Sequence, residues 1–291
     1  MKSNIRGSMP KKLILILGPT ASGKTDYSIS LAKEVGSPVV SCDSRQIYKE
    51  MKIGTAPPSD EQLAQVQHYF IFSHSIHTPY TAGKYEIEAI SLLERLFEKH
   101  DTVVAAGGSG LYAHALCHGL DDFPPADEEL RRDLTTRLQN EGIESLRADL
   151  RLLDRESYDS IEIENSRRVM RALEVTIQTG RKFSSFKTGM ERERPFLIEK
   201  RLISRSREEL YSRIDSRVDL MMESGLLDEA KSLYKFKGLP ALRTVGYSEL
   251  FDYIDGHISL EDAVGLIKRN TRRYAKRQIT WWRRYKDLEI I

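Results

Sequence analysis

The chain has little cysteine: Cys42 and Cys117 are the two in 291 residues. They lie far apart, with no metal-ligand spacing, so a zinc module and a disulfide framework are both excluded. So little cysteine fits a reducing compartment, and the expected location is cytoplasmic. No apolar run approaches the ~18 residues of a membrane span. The first residues, Met1–Ser8, are polar and lack the apolar stretch of a secretory signal; they are expected to be a tail outside the fold. Net charge is only +2, so composition alone does not point to a nucleic acid. Internal repeats and low-complexity segments are lacking as well. What remains is ordinary for a globular protein, with 40% hydrophobic and 30% charged residues.

Against that background one stretch is distinctive. Leu13-Ile14-Leu15-Ile16-Leu17 runs into Gly18-Pro19-Thr20-Ala21-Ser22-Gly23-Lys24-Thr25, the G-x-x-x-x-G-K-T pattern that joins a strand to a helix around a phosphate. Gly18 lets the chain leave the strand, and Gly23 lets the backbone approach an anion closely. Loop N–H groups and the helix N-terminus then converge on phosphate oxygens. Lys24 adds a point charge, and the Thr25 hydroxyl suits a Mg²⁺ shared with the phosphates. The loop does not reveal which phosphate compound it holds, a nucleotide triphosphate being the default.

Further strands follow the same logic. Pro38–Cys42 is a short buried strand, and Asp43-Ser44 sits just past its end. In an open parallel sheet, ligand groups gather beyond the carboxyl ends of strands. Asp43 is therefore a ligand-facing carboxylate or, equally, the N-cap of a following helix. Residues 46–55 read as a short helix and turn, 61–67 as a helix, 68–72 as strand-like, and 84–99 as a helix capped by Thr81. Thr102–Ala106 is the next buried strand, followed by Gly107-Gly108-Ser109-Gly110. A P-loop ATPase usually carries an acid in that slot to hold Mg²⁺. Glycines there leave room for something bulky, and Ser109 offers a hydrogen bond, so a ligand-facing loop is favoured over a flexible turn.

From Phe123-Pro124-Pro125 the composition shifts to Arg- and Glu-rich segments of helical period. The fold expected is α/β: a P-loop core with a parallel sheet flanked by helices, plus an inserted all-helical domain. The boundaries expected are 9–123 for the first part of the core, 124–194 for the insertion and 195–291 for the return to the core. Pro195–Ser204 looks like another strand, and 206–286 reads as helical. Arg213 and Arg217 lie one turn apart and suit a phosphate clamp, or else a solvated face with Asp215 and Asp219 as partners. No acid falls between Lys268 and Lys286, a stretch that includes Arg273, Lys276 and Arg277. Such a block is the footprint of a polyanion, with Tyr274, Trp281 and Trp282 packing inward or stacking on bases.

Taken together these segments resemble the bacterial-type tRNA dimethylallyltransferases. The matching motifs are the 18–25 loop, Ser41–Tyr48, Met51–Ala56, Gly107–Tyr112, Arg168–Val175, Val245-Gly246-Tyr247 and Ala275–Trp281. They stand in the family's order over nearly the whole chain. The resemblance implies that the loop holds the diphosphate of dimethylallyl diphosphate, which agrees with the absent acid after residue 106. It implies alkyl transfer to the exocyclic N6 of the adenine 3′-adjacent to the tRNA anticodon, with pyrophosphate leaving. Asp43 matches the family's catalytic carboxylate. Lys24, Mg²⁺ near Thr25, and Arg217 ahead of Arg213 would stabilise the leaving group.

Asp43, Ser44, Arg45, Gln46 and Ser109 would line the base pocket. Arg167, Arg168, Val169, Met170 and Arg171 of the insertion would grip the anticodon stem-loop, and Arg273, Lys276 and Arg277 would bind phosphates. The protein is expected to act as a monomer. Two departures stand out. Ser109 replaces a frequent threonine, and Ile161–Asn165 lacks the proline of the usual Pro-Asn pair. A zinc-finger extension of the eukaryotic kind is not expected. Rival readings are a P-loop small-molecule kinase, a non-catalytic RNA-binding module, and transfer to free adenine nucleotides.

Overall fold

A computed structural model describes residues 10–291; Met1–Ser8 and Met9 lie outside the described residues. The chain folds as two compact units, one of residues up to Gly119 with Glu193–Ile291, the other Leu120–Arg192. The first unit is built on six parallel strands: β1 Lys12–Leu17, β2 Val39–Ser41, β3 His68–Tyr69, β4 Thr102–Gly107, β5 Leu197–Leu202 and β6 Leu288–Ile290. Their spatial order is β3-β2-β4-β1-β5-β6. β1 is buried from Leu13 to Leu17, as expected of a central parallel strand covered on both faces.

Register fixes the functional edge. Leu17 pairs with Gly107 and with Leu202, and Ser41 pairs with Ala106. The carboxyl ends of β1, β4, β2 and β5 therefore finish level, and the residues after each gather on one edge. Helices α1 Lys24–Val35, α2 Asp60–Leu63, α3 Ala82–Phe97 and α4 Gly110–His118 belong to this first half. Thr81 caps α3 by accepting from the Lys84 N–H, as its sequence suggests.

The second unit holds α5 Glu128–Glu141, α6 Ile143–Leu153, α7 Arg155–Ser160 and α8 Ser166–Thr179. Leu134, Leu146, Leu150, Val169, Ala172 and Leu173 form its core. Asn165, in the stretch that lacks the proline, caps α8. Arg147 holds the preceding turn, donating to the Ile163 carbonyl at 2.9 Å. The chain then returns to the first unit with α9 Arg207–Glu223, α10 Leu226–Leu233, α11 Tyr247–Ile254 and α12 Leu260–Trp282.

Three local expectations need correction. Residues 46–55 contain no helix; they form turns and one parallel bridge from Tyr48 to His74. Their N–H groups are claimed by tertiary partners, as described below. The 68–72 strand stops after Tyr69, because Phe70 and Phe72 take left-handed φ of 61° and 48°. Past Trp282 the chain leaves the helix and adds β6 beside β5, with Lys200 reaching Asp287 at 2.6 Å.

Candidate active site

The phosphate loop lies at the end of β1 and opens α1. Gly23 caps α1 in a left-handed conformation (φ 96°) without any side-chain cap. The first-turn N–H groups are thus free of capping side chains, the arrangement that receives an anion. Ala21 is also left-handed, at φ 65°, strain of the kind that collects at ligand sites. The Ser22 hydroxyl is buried without a partner, which costs about 1–3 kcal/mol until an acceptor arrives.

Cationic side chains ring this loop. Lys24 Nζ donates to the carbonyls of Gly18 and Pro19 at 3.0 and 2.7 Å. Arg213 Nε donates to Ala21 O at 2.8 Å, and Arg217 Nη1 reaches Thr20 Oγ1 at 3.4 Å. Arg205, just past β5, donates to Ser22 O at 3.2 Å. Burial lowers Lys24 to about 8, Asp43 opposing and Arg217 assisting. Burial, then the charge of Arg213, also lowers Arg217.

The structure resolves the two readings of the α9 arginines. Asp215 and Asp219 turn instead to α12, where Asp215 Oδ2 accepts from Arg272 at 2.8 Å and Asp219 from Lys268 at 2.6 Å. Arg213 and Arg217 are left to the loop. Two cations of the basic block are thereby neutralised, while Arg273, Lys276 and Arg277 remain exposed.

The Asp43 carboxylate sits at the end of β2 and is half-buried. Its Oδ1 accepts from the N–H groups of Arg45 and Gln46 at 2.8 and 3.2 Å. This turn is not a helix cap, since no helix follows. The Asp43 charge is among those that bear on Lys24, so cradle and carboxylate lie within electrostatic reach on one sheet edge. Gln46 Nε2 is held by the carbonyls of Thr55 and Ala56 at 3.3 and 2.9 Å. That loop is fixed in turn by Glu229, whose carboxylate accepts from the N–H groups of Lys52, Ile53 and Gly54 and from the Tyr247 hydroxyl at 2.6 Å.

The space beside the 107–110 glycines is filled by the chain itself. A Cβ on Gly107 would lie 2.5 Å from Cys42, on Gly108 2.3 Å from Gln278, and on Gly110 2.6 Å from Trp281. Glycine is needed there for close packing of the protein, which replaces the expected room for a bulky ligand. Ser109 is 7% exposed, and its hydroxyl bonds Ser44. Tyr274 stands beside Ser109; burial, then the Asp43 charge, pushes its phenol up to about 12.

In the insertion, Arg167 and Arg168 are exposed. Val169 is fully buried, Met170 packs on the helical core, and Arg171 turns inward to the Pro124 carbonyl at 2.7 Å. The expected RNA-contacting run therefore alternates between surface and core, as helical period requires. Sequence reading missed Arg205, Glu229 and Gln278. The first was legible as a residue just past a strand end on the functional edge; the others contact residues more than a hundred positions away.

A phosphate loop on an all-parallel sheet, ringed by arginines and with a carboxylate at a neighbouring strand end, defines a P-loop protein. The IPP transferase family model matches residues 46–285, and the chain belongs to that family. It is 48% identical over 280 residues to tRNA dimethylallyltransferase 1 of Phocaeicola vulgatus, covering 96% of this chain and 93% of the relative. It is 49% identical to the tRNA dimethylallyltransferase of Christiangramia forsetii, covering 97% and 93%. Among solved structures, the tRNA isopentenylpyrophosphate transferase of Bacillus halodurans superposes with a TM-score of 0.70 at 36% identity, covering 97% of this chain and 89% of that one. A eukaryotic dimethylallyltransferase acting on tRNA gives 0.82 at 26% identity, covering 97% and 73%.

Proposed function

We propose that the protein transfers a dimethylallyl group from dimethylallyl diphosphate to N6 of the adenine 3′-adjacent to the anticodon of tRNA. The observation that carries this reading is the Lys24 cradle and the Asp43 carboxylate sharing one sheet edge, close enough for the charge of one to act on the other. The names of the relatives support the tRNA substrate.

The diphosphate occupies the uncapped N-terminus of α1, with Lys24, Arg213 and Arg217 around it. N6 attacks the first carbon of the prenyl group as the carbon–oxygen bond breaks, and pyrophosphate leaves with the bonding pair. Charge grows on the leaving oxygen, where each well-placed donor contributes about 3–4 kcal/mol. Asp43 accepts the N6 proton, a contribution of ~10²–10⁴ in rate. Ser109 and Ser44 line the approach of the base, with Arg45 and Gln46 beside them.

The adenine reaches Asp43 only after leaving the anticodon stack, at a cost of a few kcal/mol. Arg167 and Arg168 of the insertion and Arg273, Lys276 and Arg277 of α12 supply phosphate contacts, which weaken with salt. The donors present fit Mg²⁺: Thr25 offers one hydroxyl, and diphosphate and water supply the rest. Bound there, the ion would neutralise leaving-group charge. No helix among the described residues is long and apolar enough to cross a membrane; the reading places the protein in the cytoplasm as a monomer.

The test is mass analysis of nucleosides from undermodified tRNA incubated with dimethylallyl diphosphate and Mg²⁺. Wild type yields prenylated adenosine. Asp43→Asn keeps the acceptor oxygen of the local turn and binds tRNA, yet loses ~10²-fold or more in rate. Rapid ATP turnover without tRNA, and no prenylated nucleoside, would favour a kinase instead.

A further inference from the structure

One face of α12 reads the whole 108–110 loop. Tyr274 stands beside Ser109, Gln278 meets Gly108, and Trp281 lies against Gly110. These residues are spaced i, i+4, i+7, a single stripe of the helix. The middle one has a further contact. Gln278 Nε2 donates to the Gly108 carbonyl at 2.8 Å, and its Oε1 accepts from the Thr20 N–H at 2.8 Å. The side chain is 5% exposed. With both ends bonded, its amide can take only one orientation.

We propose that Gln278 is a positioning residue that fixes the spacing between the diphosphate cradle and the base pocket. Its amide is a strut from the phosphate loop at Thr20 to the loop after β4 at Gly108. The next residue, Ser109, is bonded to Ser44, which adjoins Asp43. The strut thus sets how far the prenyl carbon stands from the nucleophile, a distance on which rate depends steeply. It also ties both loops to the helix whose outer face carries Arg273, Lys276 and Arg277. The inference rests on the prenyl-transfer reading above.

Two variants test it. Gln278→Met keeps length and bulk but has neither bond. Gln278→Glu keeps both bonds only when protonated: the acid O–H donates to Gly108 O and its carbonyl accepts from Thr20 N–H. Once ionised, it turns a negative oxygen toward a carbonyl. The titratable groups around this amide are Lys24 and Arg217 on the phosphate-loop side, Cys42 beside Gly107, and Tyr274 one turn along α12. Lys24 falls to about 8 and Tyr274 rises to about 12; burial raises Cys42 well out of range. These act in wild type too, so the ratio of variant to wild type isolates position 278.

The readouts are single-turnover prenylation of tRNA from pH 6 to 8, and calorimetric binding of inorganic pyrophosphate. The expected result is a loss of about tenfold or more in rate for Gln278→Met, with the KM for tRNA changed less than twofold. Position 278 is buried, which raises a carboxyl placed there toward this pH range; Gln278→Glu should therefore approach wild type at pH 6 and fall away as pH rises, while the Met variant tracks wild type in shape. Two outcomes overturn the proposal: both variants matching wild type at every pH, or a loss confined to the KM for tRNA. If Gln278→Met does not fold, the pH-dependent ratio of Gln278→Glu decides alone. If wild type prenylates nothing, the functional reading has failed; weaker pyrophosphate binding by the variants then still supports the strut, and unchanged binding overturns it.

Discussion

The Ser109 hydroxyl donates to the Ser44 hydroxyl at 2.9 Å and accepts from the Ser44 N–H at 2.8 Å. This pair bridges the loop after β4 to the turn that carries Asp43. Ser109→Ala deletes both bonds and leaves a partly buried N–H without its partner, at about 1–3 kcal/mol. The expected result is a single-turnover prenylation rate lowered by about tenfold. Ser109→Thr keeps the hydroxyl and should stay within about threefold of wild type. Equal activity of the Ala and Thr variants would remove the bridge from the account.

Lys24 is predicted to impose an alkaline limit on substrate binding. Burial, then the charge of Arg217, hold its ammonium near 8 against the opposing pull of Asp43. It is charged below that value and neutral above it. Affinity for dimethylallyl diphosphate should therefore hold from pH 7 to 8 and weaken above 8, by up to about tenfold per pH unit. Titrating the KM from pH 7 to 9.5 checks this. Lys24→Arg should bind with no such break.

Glu229 is expected to act on RNA through Gln46. It accepts three consecutive backbone N–H groups and the Tyr247 hydroxyl. Glu229→Ala strands those donors, and stability should fall by roughly 3 kcal/mol, seen as a lowered thermal midpoint. Loosening residues 52–56 releases the carbonyls that hold Gln46. The milder Tyr247→Phe should raise the KM for tRNA while leaving pyrophosphate binding intact; weakened pyrophosphate binding would contradict this.

Asp154 is predicted to govern acid stability of the 120–192 unit. Burial would raise its carboxyl, but hydrogen bonds from the N–H and hydroxyl groups of Ser157 and Ser184 prevail and hold it below its ordinary value of 3.8. A depressed carboxyl stabilises the folded form above the unfolded value and loses that contribution as pH falls through the folded one. Wild type should lose stability in this unit below pH 3.8, and Asp154→Asn should show less of that acid-dependent loss. Urea unfolding at pH 3 and 6, followed by amide exchange within this unit, checks the difference.

Local sequence was sufficient wherever one segment carries its own physics. Leu13–Leu17 runs apolar because a central parallel strand is covered on both faces, and the loop behind it is legible as a phosphate loop because glycines and a helix start surround a lysine. The helical insertion was equally plain from its period, which also explains why Arg167 and Arg168 face out while Val169 faces in. The turns over 46–55 were misread because their N–H groups answer to Glu229, far along the chain.

By itself, then, the sequence determined the α/β class, the phosphate loop, the family motifs and the carboxylate at a strand end, since each depends on neighbours within a few residues. Tertiary structure alone decided which charges meet. Asp215 and Asp219 lie between and beside Arg213 and Arg217 on one helix, yet they pair with α12 and leave the arginines to the loop. The same holds for Gln278, whose two partners come from the loops after two different strands. Contacts at such separation are set by packing of whole elements, and no local pattern encodes them.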